Sequence, residues 1–317
     1  MPDFSPTVAL ADPIVRLYLA LAVGVLLAAG VAIGVLKLLG RDVTHPWASY
    51  RGWLAMIPLI LGSIVLGRLA AIGFFTLVAA MAFKEYARAT GLYRDWGYAI
   101  VGYAGILAVG VVAMVDDPGK GVAGWYGLFM ALPVFVIAGI LVLPIVRNRA
   151  KGQLQYVALA IVGFVYIGWM FGHLTFLFNA DRAYGCVLYL LFAVQVNDVA
   201  AYTFGKLLGR HPLRSNISPK KTWEGSLGAL AVSMALPWLL RFSLPGFGPL
   251  ELVLTGLIVG IGGQLGDLSM SAIKRDLEVK DMGALITGHG GVLDRIDSLI
   301  YSAPLFFHMV RYLRGIY

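Results

Sequence analysis

The sequence predicts an all-α, polytopic integral membrane protein of about ten transmembrane helices, with two long cytosolic loops toward its C-terminal end. Three observations carry this. Of the 317 residues 59% are hydrophobic and 13% charged, against about 25% charged in soluble domains. Mean hydropathy is +0.81. Apolar runs near the ~20 residues that cross a bilayer recur along almost the whole chain. The net charge of +8 is then a topological signal before it is a partner signal, and nucleic acid is not implied. The single cysteine, Cys186, lies in an apolar run and is expected to pack; it excludes an intrachain disulfide or a Cys-based zinc site.

From the N-terminus, MPDFSPTVALADP lacks the basic start of a signal peptide, and the apolar run after it is too long for one, so residues 15–36 are expected to be a true first span. Further spans are expected near 53–66, 69–83, 97–115, 123–146, 155–178, 183–205, 225–246, 248–273 and 298–316. Only Gly67 and Arg68 separate the second and third, which read equally as one tilted helix or a broken pair. With ten spans and the N-terminus outside, most Lys and Arg fall on one face, as they do in cytoplasmic loops. The connections 206–224 and 274–297 share that face, because two spans lie between them. No internal repeat is visible. Residues 1–180 are expected to be N-terminal transmembrane helices and 181–317 a catalytic transmembrane region in the inner membrane.

The first polar connection contains Asn197, Asp198 and Tyr202, then Ser218-Pro219-Lys220-Lys221-Thr222-Trp223-Glu224-Gly225. Ser218 before Pro219 predicts a helix start, with Ser as N-cap and Pro in the first turn. Lys220 and Lys221 would then crowd a helix terminus that is already positive, an arrangement an anion such as phosphate offsets. The alternative is a basic anchor with Trp223 in the interfacial aromatic belt. Asp198 sits inside an apolar span, where a carboxylate costs roughly 2.5–3.5 kcal/mol and so suggests function or a paired structural role.

The second connection opens on Gly266-Asp267 and closes on Asp294-Arg295-Ile296-Asp297. On a helix, positions 267, 271, 274 and 278 share a face, which aligns Asp267, Ser271 and Lys274. Asp294 and Asp297 are three residues apart, so both carboxylates can point at one place and would repel unless a cation joined them. Hard carboxylate oxygens suit Mg²⁺, with Asp267, Asp294 and Asp297 as ligands. The structural alternative makes Asp294 an N-cap and Asp297 a first-turn residue. Gly288, Gly290 and Gly291 allow close backbone approach to phosphate oxygens or, equally, a tight surface turn. His289 is a candidate donor to a phosphate. Other motifs fail: the glycines from Gly260 to Gly266 lack a βαβ context and suit close helix packing, and His45, His173, His211 and His308 have no ligand spacing.

The run Ser271-x-Ile273-Lys274-Arg275-x4-Lys280-Asp281-x-Gly283-x2-Ile286-x-Gly288-His289-Gly290-Gly291-Val292-x-Asp294-Arg295-Ile296-Asp297 resembles the signature of the phosphatidate cytidylyltransferase (CDP-diacylglycerol synthase) family. Gly266-Asp267, Asp198-x-x-Ala201-Tyr202 and Ser218 to Gly225 are similar to that family too, so the likeness covers about the last 130 residues. Thr287 stands where the family usually has proline, which leaves a looser turn and an open lipid acceptor.

The resemblance implies attack of a phosphatidate phosphate on the α-phosphorus of CTP, releasing pyrophosphate. It implies Lys220, Lys221, Lys274, Arg275 and Lys280 on the phosphates and Asp281 and His289 in the catalytic set. Substrate contacts would come from Asp198, Ser218, Thr222, Glu224, Ser271, Gly288, Gly290, Gly291 and Arg295. Expected partners are CTP, phosphatidate or a related lipid phosphate, and membrane lipids, with a homodimer left open. The competing readings are another CTP-using lipid enzyme such as a polyprenol kinase, and a transporter, which would spread its charges across several spans.

Overall fold

The structure, a computed structural model, describes residues 6–283 and 290–315. A short α1 (Pro6–Ala11) leads into α2 (Pro13–Leu38), where Asp12 caps the helix by accepting the Ile14 N–H at 2.7 Å and Pro13 occupies the first turn. There follow α3 (Thr44–Val65), α4 (Arg68–Ala89), α5 (Trp96–Met114) and α6 (Tyr126–Val146). The next span is composite: α7 (Gln153–Gly163) passes through a π-helical stretch, Phe164–Met170, into α8 (Phe171–Leu177). After α9 (Ala183–Leu208) a hairpin of β1 (Pro212–Arg214) and β2 (Ser218–Thr222) leads into α10 (Trp223–Leu239). Helix α11 (Pro249–Leu257) continues through a second π-helical stretch, Ile258–Gly262, into α12 (Gly263–Asp276), and α13 (Leu293–Arg314) closes the described chain.

Helix thus stands at each of the ten expected places. Among the described residues eight segments are long and apolar enough to cross a membrane. Helix α10, of 17 residues, and α13, with charges in its first and last turns, fall outside that criterion and pack among the eight. The ambiguity at 53–83 resolves into two helices, because Gly67 takes φ 111° and ψ 178°, a conformation open to glycine, and so breaks the helix between Val65 and Arg68.

Contacts between connections sort into two groups, as they must if the bundle has two ends. At one end Arg68 bonds Asn179 (2.6 Å) and the Ala113 carbonyl (3.0 Å), with Asp116 3.6 Å away. At the other, Arg147 pairs with Asp95 at 2.6 Å and the hairpin meets α12. The core runs along α9 and α13, each of which buries twelve residues, whereas the apolar window of α2 is wholly unburied and faces outward. Elements of both halves converge on α13, which packs against α4, α8, α9 and α12.

Small residues let α12 approach α13. A Cβ on Gly266 would lie 2.2 Å from the Asp297 carbonyl oxygen, so only glycine admits this contact, and it sets Asp267 beside the start of α13. Cys186 is buried, as expected.

Two local expectations are corrected. Ser218 does not cap a helix. Residues 218–222 form an extended strand paired antiparallel with 212–214, and Pro219, which has no N–H to give a ladder, is tolerated in this two-stranded edge. The helix begins four residues later, where Thr222 Oγ1 accepts the Gly225 N–H at 3.2 Å. Lys220 and Lys221 therefore lie on the strand and not in a helical first turn. Position 278 also leaves the predicted face, since α12 ends at Asp276 and Glu278 takes φ 56°.

Candidate active site

The polar residues of both connections meet at the end of the bundle formed by the α9–α10 hairpin, the C-terminal half of α12 and the first turns of α13. The hairpin is held from behind. Glu224 accepts the backbone N–H groups of Arg210 (3.1 Å) and His211 (3.3 Å) and pairs with His211 Nδ1 at 2.5 Å. The His211 contact, helped by those amides, holds the Glu224 carboxyl down to about 2. Arg275 Nε donates to the Ile217 carbonyl at 3.2 Å, tying the hairpin turn to α12.

With the hairpin so placed, Lys221 Nζ lies 2.6 Å from Asp267 Oδ2. Ser271, one turn on, donates to Asp267 Oδ1 at 3.2 Å, which places Asp267 and Ser271 on one face as the spacing predicts. Lys274 reaches across to Asp294 Oδ1 at 3.0 Å, with the two side chains only 13% and 5% exposed. The other Asp294 oxygen accepts the N–H groups of Met282 (3.1 Å) and Gly291 (2.9 Å). Asp297 is buried and accepts the Ser298 N–H at 2.7 Å, while Ser298 Oγ donates to Asp198 Oδ1 at 3.3 Å. Asp198, Asp267 and Asp297 lie within electrostatic reach of one another. Tyr166, from the π-helical part of the composite span, donates to the Gly266 carbonyl at 3.2 Å and closes the apolar side.

Three sequence-derived groups are therefore brought together: Lys221 with Asp267, Lys274 with Asp294, and Asp198 with Asp267 and Asp297. Asp294 is not paired with Asp297, since its oxygens serve Lys274 and two loop amides. Among the described residues no three His, Cys, Asp or Glu side chains are gathered into a metal cage. The donor chemistry nevertheless fits a hard divalent cation: three neighbouring carboxylates are joined directly by one ammonium group and hydroxyls, leaving excess negative charge beneath the surface. Lys220, Lys280 and Asp281 are exposed at the rim, Ser218 begins β2, and Gly290 takes φ 78° with its Cβ direction facing Asp294 and Asp281. Arg295 lies near Asp198, and its Nε is buried without a hydrogen-bond partner. Gly288, His289 and Thr287 lie outside the described residues.

Two residues have roles that the sequence did not assign. Asn197, placed there in the first polar connection without a role, is fully buried and accepts a hydrogen bond from Ser233 Oγ at 3.0 Å, joining α9 to α10. Glu85, on α4, accepts the N–H groups of Val292 (3.0 Å) and Leu293 (2.9 Å) at the start of α13. No local pattern marks it.

Residues 48–313 match the family model described as the cytidylyltransferase family. The chain is 33% identical over 256 residues to the uncharacterized protein YnbB of Escherichia coli, covering 75% of this chain and 78% of that protein. It is 33% identical over 235 residues to the phosphatidate cytidylyltransferase of Staphylococcus haemolyticus, covering 73% and 86%. Over 129 residues it is 47% identical to the phosphatidate cytidylyltransferase of Synechocystis sp., covering 39% and 43%.

Proposed function

This chain belongs to the cytidylyltransferase family, and from that premise we propose that it transfers CMP from CTP to phosphatidate, forming CDP-diacylglycerol and pyrophosphate at the cytosolic face of the inner membrane. The observation that carries the reading is the convergence of Asp198, Asp267 and Asp297 with Lys221 and Lys274 at one end of a membrane bundle. A midplane transport path would distribute such charges along the spans.

In the proposed reaction a phosphate oxygen of phosphatidate forms a bond to the α-phosphorus of CTP, and the bond from that phosphorus to the β-phosphate bridging oxygen breaks. The electron pair leaves on pyrophosphate. The nucleophile is already anionic at neutral pH, so no strong base is needed, and positioning and charge stabilisation supply the acceleration. Asp267 and Asp297, with Asp198 beside them, would hold Mg²⁺, which when bound neutralises phosphate charge; Asp294 would join them through the oxygen that Lys274 now holds. Lys221 and Lys274 now spend their charge on Asp267 and Asp294 and are the groups nearest to hand for the incoming phosphates. Lys220, Arg275 and Lys280 line the rim, where they draw CTP toward the site.

The test is to incorporate purified protein into vesicles containing phosphatidate and supply CTP with and without Mg²⁺. Equal amounts of CDP-lipid and pyrophosphate, formed with Mg²⁺ alone, are expected. Release of CDP in place of pyrophosphate would show a kinase, and no CDP-lipid would remove the proposal.

A further inference from the structure

The first turn of α13 has backbone N–H groups that its own sequence does not satisfy. Its N-cap is Val292, which has no side-chain oxygen to accept them. The acceptor comes from the other half of the chain. Glu85 Oε1 takes the Val292 N–H and Oε2 the Leu293 N–H, while Asp294 takes the preceding Gly291 N–H. Three successive amides are thus bound by two carboxylates, at a helix end whose partial positive charge favours both.

Two glycines of the signature are shaped around this contact. A Cβ on Gly283 would lie 2.4 Å from Glu85 Oε1, and one on Gly291 would lie 2.3 Å from Glu85 Oε2. At Gly283 the three nearest atoms all belong to the Glu85 side chain. A free glutamate would swing away from an added methyl group. Here the carboxylate is tethered at both oxygens, so moving it means giving up its hydrogen bonds.

We propose that Glu85 is a positioning residue for the reaction: it fixes where α13 begins, and through that the placement of Asp294 and Asp297 against Lys274 and Asp267, and Gly283 is small in order to admit it. This rests on the catalytic reading of those aspartates. Helix α4 becomes part of the working unit, although none of its side chains is placed on substrate.

The test is a double-mutant cycle of Glu85→Ala and Gly283→Ala, read both as turnover and as amide hydrogen exchange over residues 290–297 without substrate. Glu85→Ala should lower kcat by about ten- to a hundredfold, as loss of a supporting partner does at metal sites, affect KM for CTP less, and speed exchange at Val292 and Leu293. Glu85→Gln, which keeps one acceptor oxygen, should recover part of both. Gly283→Ala should be damaging in the wild-type background yet change Glu85→Ala by less than about twofold. Unchanged turnover and exchange in Glu85→Ala, or a Gly283→Ala loss as large with Glu85 removed as with it present, would overturn the proposal. Should Glu85→Ala fail to insert, Glu85→Gln alone decides it by the same two readouts: a partial loss of turnover with faster exchange at Val292 and Leu293 supports the proposal, and no change in either overturns it. A wild-type protein that makes no CDP-lipid would remove the catalytic reading, whereas the exchange arm tests the contact by itself.

Discussion

At the scale of single residues, charge placement at the bundle end explains which side chains matter. Asp297 is buried beside two other carboxylates and, among the described residues, accepts hydrogen bonds only from the adjoining Ser298. Asp297→Asn removes a charge the proposed cation needs, and turnover should fall by at least about a hundredfold while membrane insertion persists; assay of CDP-lipid in reconstituted vesicles checks it, and retained activity removes Asp297 from the site. Lys221→Ala frees Asp267 from its 2.6 Å partner and should lower kcat/KM on the order of a hundredfold. The aspartates and lysines were legible in the sequence because charge in an apolar chain stands out and their spacing fits a helix. Glu85 was not, because its partners lie 207 and 208 residues away and a carboxylate near the end of a span looks like any interfacial charge.

At the scale of elements, hydropathy located a helix at each of the ten expected places and missed only the six-residue α1 among the described α-helices, but cap chemistry misplaced one start. Ser-Pro is a sound local signal for a helix N-terminus. It lost here to Thr222, which caps α10 directly, and to Glu224, which reaches back to Arg210 and His211 and holds the preceding chain extended. Thr222→Ala should destabilise the fold by about 1 kcal/mol, seen as a lower thermal midpoint in detergent. The Glu224 contact also sets a pH window. Because the folded carboxyl is depressed from 4.5 to about 2, its stabilisation is complete above pH 4.5 and is lost as pH falls through about 2. A spin label at Ser215 should therefore keep its mobility from neutral pH to about 4.5 and loosen only below; loosening near pH 6 would contradict the assignment. The π-helical stretches at 164–170 and 258–262 carried no signal in hydropathy, since a π turn differs in hydrogen bonding and not in composition.

At the scale of the whole molecule, the positive-inside pattern and the loop contacts agree on how the chain is threaded. The hairpin and the α12–α13 connection lie at one end, and the connection after α5 at the other. The only native cysteine is buried, so a cysteine introduced at Ser215 should be labelled by an impermeant maleimide from the cytosolic side alone, and one at Gly119 from the opposite side alone. Equal labelling from one side would overturn the ten-span threading. The matched family region begins at residue 48, close to the start of α3, which leaves α1 and the whole of the outward-facing α2 outside it.

The proposed chemistry is tested most directly by following the α- and γ-phosphates of labelled CTP through one turnover on phosphatidate vesicles with Mg²⁺. Label in the α-phosphate should pass into the lipid, and label in the γ-phosphate should stay in water as pyrophosphate. Entry of γ-label into the lipid, or of neither label, would contradict cytidylyl transfer.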